Sequence, residues 1–166
     1  MSTPPSELDR LCECLRGLAD DHRRLLDLVG RHEAAIRTID AAQVDLLNRE
    51  QEAVRTRILH AEARRRLVAA AAARAAKLPP DATLSRLAAA VPSHRLQLLA
   101  LRDDLRTLAQ EVRQRTAVTA KIAQAMLGHL NTAVRLLASA VERGGTYTKQ
   151  GAPKLTRRIG SMEAVG

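Results

Sequence analysis

The feature that most constrains the fold is the stretch from residue 93 to residue 141, which contains no proline and a single glycine. At a rise of 1.5 Å per residue, its roughly 50 residues would form a helix about 75 Å long. Apolar residues recur along it in steps of three and four, as on the contact face of a helical bundle or coiled coil, with Arg115 and Thr119 in the two middle positions. The apolar positions are Leu98, Leu101, Leu105, Leu108, Val112, Ile122, Met126, Leu130, Val134, Leu137 and Val141. One helix cannot bury such a stripe, so other parts of the chain or a partner must cover it.

The composition favours an all-helical chain with an aliphatic core. The 166 residues are 46% hydrophobic and 27% charged, which is enough for one domain with a buried core. There is no Phe or Trp, and Tyr147 is the only Tyr, so the core must be built from aliphatic side chains. The six Pro and eight Gly lie mostly at the ends and in one linker, which leaves long segments free to form helices.

The net charge of +9 favours acidic partners such as nucleic acid, a membrane surface or an acidic protein. Most of the basic residues are arginines that alternate with Asp and Glu along alanine-rich segments, which is typical of solvated helix faces. The chain also lacks the aromatic side chains with which single-strand binders stack on bases. We therefore expect no nucleic-acid partner, and an arginine-rich nucleic-acid binder stays as a weaker alternative.

No pattern in the sequence indicates catalysis or metal binding. Cys12 and Cys14 would lie on different sides of a helix, which suits neither a disulfide between them nor joint metal ligation. His32-Glu33 is followed by Ile36 where the zinc-protease motif H-E-x-x-H requires its second His. Ser, His and carboxylate residues are scattered over helical faces, and there is no glycine-rich phosphate loop. We expect neither an enzyme nor a cofactor or metal site.

The sequence also predicts where the protein resides. Its first residues, MSTPPSELDR, lack the basic and then apolar pattern of a signal peptide. No uninterrupted apolar run approaches the ~18 residues that a membrane-spanning helix needs. Free thiols favour a reducing compartment. We therefore expect a cytoplasmic protein without membrane insertion.

Capping signals divide the helical region into several helices. Ser6 with Asp9 is a start signal, and Asp40 with Gln43 is a second one, beside which the apolar pattern also changes phase. One unbroken helix across Asp40 is the alternative, but two helices of similar length can cover each other, whereas a single rod would stay half unpaired. The predicted fold is all-α, an antiparallel bundle of long, coiled-coil-like helices. The predicted bounds are near residues 6–38, 40–77 and 93–143, with a short helix between 82 and 91.

Proline and glycine mark the remaining boundaries. Pro79-Pro80 ends the second helix, and Asp81 or Thr83 can cap the short helix that follows. Gly144-Gly145 ends the long helix. We therefore expect a helical bundle in residues 1–143 and a flexible basic tail in residues 144–166.

The distal part of the long helix is the candidate binding surface. If the second helix runs antiparallel to the long one from the linker onward, the long helix exceeds it by about 20 Å. Its far end would then be poorly covered and open to an amphipathic helix of a partner. The residues concerned are Leu130, Val134, Leu137 and Val141. The first helix, the short helix or a second copy of the chain could cover them instead.

Three segments of the sequence carry a resemblance to a known family. One is LLDLVGRHEAAIRTIDAAQVDLLNREQEAVRTRIL, a pair of leucine-patterned helices joined at a small-residue–Asp step. The second is the proline-bounded LPPDATLSRLAAAVP, and the third is VRLLASAVERGGTYTKQG, the end of a last helix followed by a tail with Tyr147. In these features the chain resembles the FlgN-like family of flagellar export chaperones. That family often has two asparagines three apart in its last helix, where this chain has Thr116 and Thr119.

The resemblance implies a helical bundle that holds hook–filament junction proteins in the cytosol and hands them to the export machinery. It implies that the client's C-terminal helical segment binds the last helix. It also implies that Tyr147 and Gly151 dock on the cytoplasmic domain of the export-gate membrane protein, and the export ATPase complex is a further implied partner. The implied client-binding residues are Ile122, Met126, Leu130, Val134, Leu137 and Val141.

Two alternatives stay open at this point. A self-associating coiled-coil scaffold would use the same apolar seam as a chaperone. Solution mass separates the two, because a chaperone without client should be a monomer or weak homodimer and a scaffold a stable oligomer. Tyr147 could also fold back over the end of the bundle instead of docking on a partner.

Overall fold

The computed structural model describes residues 6–144, with side chains described to Val141, and this part of the chain contains helices and no strand. The all-α prediction is confirmed, and each predicted helix is present within about two or three residues of its expected bounds. The chain divides into two compact units, one ending at Ala123 and one beginning at Gln124. The elements are α1 (Glu7–Arg37), α2 (Ala41–Ala75), α3 (Leu84–Ala90), a 3₁₀ turn (Pro92–His94) and α4 (Arg95–Gly144).

The first three helices begin where the sequence supplies a cap. The Ser6 hydroxyl accepts a hydrogen bond from the N–H of Asp9, and the Asp9 carboxylate accepts one from the N–H of Ser6, each at 3.1 Å. The Asp40 carboxylate accepts from the N–H of Gln43 at 3.0 Å and starts α2. Of the two candidate caps for α3, Thr83 is the one used. Each cap gives a partner to an N–H group that the helix itself leaves unpaired.

A tight turn separates α1 from α2, so the alternative of one continuous helix is wrong. Ile39 has a φ of 56°, in the left-handed region. Its N–H donates to the carbonyl of Ile36 at 3.1 Å, and the N–H of Asp40 donates to the carbonyl of Ala35 at 3.0 Å. This pair of bonds is the Schellman motif, in which one left-handed residue allows the chain to leave the helix. Lys77, with a φ of 58°, ends α2 in the same way.

The three long helices of the first unit run up, down and up. In the ion pairs between α1 and α2, a higher residue number in α1 is paired with a lower residue number in α2. In the pairs that join α1 to α4, or to the 3₁₀ turn before it, both residue numbers increase together. Therefore α2 is antiparallel to α1 and to the first part of α4, and α1 is parallel to the first part of α4. The pairs are Asp21–Arg57 and Arg31–Glu50 for α1 and α2, and Asp9–His94 and Arg23–Asp104 for the others.

Two aliphatic clusters form the core of this unit, as the absence of Phe and Trp predicts. One joins the start of α1, the end of α2, α3 and the start of α4, and its buried members are Leu11, Cys12, Leu15, Ala72, Leu87, Ala88 and Leu98. The other joins the second half of α1 to the first half of α2, with Val112 of α4 packed against it. Its buried members are Leu25, Leu28, Val29, Ala35, Leu47 and Val54. Both clusters include contacts from α4, which fixes this helix to the other two.

Two polar residues are buried in the same unit. Thr119 is 5% exposed, and its hydroxyl donates to the carbonyl oxygen of Arg115 at 3.0 Å. Gln51 is 3% exposed, and its Oε1 accepts from Arg55 at 3.2 Å, but its Nε2 has no hydrogen-bond partner. Leaving a buried donor unpaired costs about 1–3 kcal/mol. Gln51 is therefore a weak point in the interior of this unit.

Candidate functional site

The segment of α4 from residue 124 to residue 141 is a helix with very little charge. Arg135 is its only formally charged residue, and it contains no proline. The hydroxyls of Thr132 and Ser139 donate to backbone carbonyls about one turn earlier, each at 2.9 Å. Four alanines, which are strong helix formers, support the helix locally. What this segment offers to a partner is therefore mainly its apolar side chains.

Four apolar side chains form a line along one side of this segment, which we call the distal stripe. They are Leu130, Val134, Leu137 and Val141, and their exposed fractions are 41, 63, 67 and 75%. Ile122 and Met126, the two earlier positions of the predicted client-binding set, are half-buried. The structure thus brings the four distal residues together on one open helix face.

Two exposed leucines beside the distal stripe were not predicted as site residues. Leu127 is 61% exposed and precedes Leu130 by three residues, so it extends the stripe by one turn. The sequence spacing could have indicated Leu127, because positions 127, 130, 134, 137 and 141 are separated by alternating steps of three and four. A stripe through Met126 instead needs two consecutive steps of four. Leu136 is 63% exposed but lies about 100° around the helix from Leu137 and belongs to a neighbouring face.

The exposure of the distal stripe is large in energetic terms. Within the first unit, α4 buries Leu98 to 0% and Leu108 to 7%. Burying one fully exposed Leu or Val side chain contributes about 1.5–3 kcal/mol. Because the four residues of the stripe are already partly covered, covering them completely would supply roughly 4–7 kcal/mol before the costs of association. Contiguous exposed apolar surface of this kind marks interaction sites. The distal stripe is therefore the strongest candidate binding surface on the described chain.

Titratable side chains in the described residues do not form a reactive site. No group of three or more His, Cys, Asp or Glu residues there could hold a metal ion. Burial raises the pKa of both free cysteines, Cys12 and Cys14, and so keeps the thiols protonated. Burial, and then the positive charge of Arg55, lowers the pKa of His32. These groups are held in their neutral forms, as expected of packing residues.

Two open grooves run along α1, and neither concentrates a chemical function. One has a volume of about 520 Å³ and lies between α1 and α4, with Gly30 and Ala34 facing Arg115 and Val118. The other, about 950 Å³, lies between α1 and α2. Its lining mixes Asp, Glu and Arg residues with apolar ones such as Leu18 and Val68. The distal stripe consists only of apolar side chains, whereas the lining of each groove also includes charged ones.

The predicted docking residues lie beyond the part of the chain that the structure describes. These are Tyr147 and Gly151, together with the rest of the basic tail after Gly144. Thr116 and Thr119, in the middle of α4, stand where the family that the chain resembles often has asparagines. Thr116 is half-buried and Thr119 is buried.

Comparison with protein-family models gives a match to the family described as FlgN protein, over residues 1–154. The chain belongs to the FlgN family. FlgN proteins are flagellar chaperones rather than enzymes, so membership assigns this chain a role in flagellar protein export. The match covers every described residue, including the distal stripe. Comparisons with curated proteins and with solved structures found no match.

None of the helices between residues 6 and 144 is long and apolar enough to span a bilayer.

Proposed function

We propose that this chain is a cytoplasmic chaperone that binds hook–filament junction proteins through the distal stripe and delivers them to the flagellar export gate. The observation that carries the proposal is the exposure of the distal stripe on a helix whose first part is packed into a core. A chaperone needs such a surface in its free state, because it must cover apolar surface of a subunit that has not yet assembled. Membership of the FlgN family supplies the flagellar context.

The client's C-terminal helical segment would lie along the distal stripe with its own apolar face. A helix in such a position contacts its partner through residues spaced by three and four. Ile122 and Met126, which lie earlier on α4, would extend the same contact. Because Arg135 is the only formal charge between residues 124 and 141, burial of apolar surface rather than ion pairing would supply the affinity.

Tyr147 and Gly151 are proposed to dock on the cytoplasmic domain of the export-gate membrane protein. Family resemblance supports this assignment, and so does the chemistry of Tyr147, the only side chain in the protein with a large aromatic surface. Lys149, Lys154 and Arg157 follow it closely and would speed encounter with an acidic surface. The export ATPase complex is proposed as a further partner on the same family basis.

The direct test measures binding of a junction protein's C-terminal helical segment to the chain and to its Leu137→Asp variant. We expect affinity to fall at least about 100-fold, because a carboxylate would be buried against the client's apolar face. Leu136→Asp is the matched control, since it makes the same substitution at an adjacent residue of similar exposure on a neighbouring face. We expect that control to stay within about threefold of the original affinity. Equal loss in both variants, or unfolding of Leu137→Asp, would show that the stripe is not the client site.

A self-associating coiled-coil scaffold is the second candidate function, because an exposed stripe with three-four spacing also suits pairing with its own copy. The solution mass of the client-free chain distinguishes the two. A monomer, or a weak dimer that dissociates when client is added, supports the chaperone. A stable oligomer that client does not dissociate supports the scaffold.

A further inference from the structure

A second exposed apolar surface lies on α2, far in sequence from the distal stripe. Leu59 and Leu67 are 71 and 73% exposed, as open as the stripe itself. At 3.6 residues per turn, these leucines share an arc of about 100° with Ala63, Arg66 and Arg74, over a length of roughly 22 Å. We call these five residues the outer face of α2. Neither core cluster of the first unit uses any of them.

The basic residues of α2 fall into two groups. Those with a carboxylate within ion-pair distance are Arg49, Arg55, Arg57 and Arg65. The side chains of Arg64, Arg66 and Arg74 pair with no carboxylate among the described residues. From residue 63 to residue 80 the sequence contains four Arg and one Lys but no Asp or Glu. The outer face therefore combines exposed leucines with positive charge that its own helix does not balance.

We propose that the outer face of α2 docks an acidic amphipathic helix of a protein partner, at a site separate from the client site. Leu59 and Leu67 would contact the apolar face of that helix, and the small side chain of Ala63 between them allows close approach. Arg66 and Arg74 would pair with carboxylates that flank the partner's apolar face. Guanidinium groups suit this role because they bind carboxylates with two parallel hydrogen bonds.

The composition of the face argues against the other anionic or apolar occupants. Nucleic acid would bring phosphates to the arginines but would leave two leucines against a charged backbone. A membrane-surface helix buries a broad apolar face of Trp, Phe and Leu residues, whereas the outer face has only two leucines and no aromatic. A second copy of the same face would place unpaired arginines against each other, which disfavours association. An acidic amphipathic helix satisfies both the leucines and the arginines.

The first experiment uses two synthetic 18-residue helical peptides as probes. Both carry leucines at three-four spacing, one with Glu on either side of the leucine face and the other with Gln at those positions. Binding is measured by fluorescence anisotropy. We expect the Glu peptide to bind at least about tenfold more tightly than the Gln peptide, and its affinity to fall with salt. Equal binding of the two peptides would overturn the proposal.

Matched variants locate the site. Arg66→Glu with Arg74→Glu should weaken Glu-peptide binding at least about tenfold, and Leu67→Ala should weaken it about threefold or more. The control pair is Arg106→Glu with Arg113→Glu, two exposed arginines on α4 that also lack an ion-pair partner among the described residues. Leu96→Ala, at an 84% exposed leucine, is the control for the apolar contact. Both controls should stay within about twofold, and equal loss in them would show non-specific attraction.

Two further measurements exclude the other occupants. Vesicles that contain anionic phospholipid should bind the original chain no better than the Arg66→Glu, Arg74→Glu variant. If the two substitutions weaken vesicle binding more than they weaken Glu-peptide binding, the outer face is a membrane-binding surface. Loss of a dimer in that variant would assign it to self-association. The Leu137→Asp variant should bind the Glu peptide normally, so this proposal and the client proposal fail separately.

Discussion

The N–H of Asp40 donates a 3.0 Å hydrogen bond to the carbonyl oxygen of Ala35 and closes the reversal between α1 and α2. The residue inside this reversal is Ile39, at a φ of 56°. Glycine is the usual residue there, because a Cβ clashes with the backbone in the left-handed conformation. The turn that allows α2 to cover α1 is thus formed by one of the residue types least suited to it.

Replacing Ile39 by Gly should stabilise the protein. The left-handed conformation costs a residue with a Cβ roughly 1–2 kcal/mol, and Ile39 is 57% exposed, so little buried surface is lost. We expect the free energy of unfolding to rise by about 1 kcal/mol in urea denaturation. Ile39→Ala is the control, since it removes most of the side chain but keeps the Cβ, and it should show no comparable gain. Equal effects of the two substitutions would contradict the explanation by backbone strain.

Replacing Gln51 by Leu should also stabilise the protein. The substitution removes a buried amide nitrogen that has no hydrogen-bond partner and keeps a side chain of similar size. We expect a gain of about 1–2 kcal/mol in the free energy of unfolding. The same substitution at the exposed Gln110 should change stability by less than about 0.5 kcal/mol. A loss of stability in Gln51→Leu would mean that the amide makes an interaction that the leucine cannot replace.

His32 should make the fold less stable in mild acid. Burial lowers its pKa in the folded state below the ordinary value of 6.5, so below that pH the unfolded chain binds the proton more readily. The free energy of unfolding should therefore fall as pH drops below about 6.5, until the folded imidazole is protonated as well. In His32→Gln this slope between about pH 6.5 and 5 should be smaller, while a measurement at pH 8 isolates the packing effect. Identical slopes in the two proteins would contradict the role of His32.

Replacing Tyr147 by Ala should separate delivery from client binding. We expect stability within about 0.5 kcal/mol of the original and unchanged client affinity, with weaker binding to the cytoplasmic domain of the export-gate protein. Leu137→Asp should show the reverse pattern, with client affinity lost and gate affinity kept. The two affinities are measured side by side on each variant. If Tyr147→Ala lowers the melting temperature or weakens both interactions equally, the ring packs on the bundle instead.

Local chemistry explains why the helices could be predicted from the sequence. Ser6, Asp40 and Thr83 each cap the helix that follows them, and a cap depends on residues only a few positions away. The same locality has limits. Nothing near Ile39 in the sequence favours a left-handed residue, and the conformation is imposed by the packing of the two helices that it joins.

The less local features were harder to predict. That α1 and the first part of α4 run parallel follows from contacts between residues more than 80 positions apart, such as Arg23 with Asp104 at 2.5 Å. The apolar pattern predicted the distal stripe but omitted Leu127. Met126 lies four residues before Leu130 and Leu127 lies three residues before it, so either spacing suits one helix face, and the prediction used Met126. The outer face of α2 was missed for another reason. Sequence periodicity predicts which residues are buried. An exposed leucine such as Leu59 therefore appears only as an apolar residue outside the periodic pattern.

The near absence of charge along the distal stripe has a thermal consequence. A contact made by aliphatic side chains removes hydrocarbon from water, so the client binding that we propose for this surface should have a negative change in heat capacity. The hydrophobic driving force also weakens on cooling. The chaperone should therefore hold its client less firmly in the cold than at higher growth temperatures, and changes in salt should alter that affinity very little.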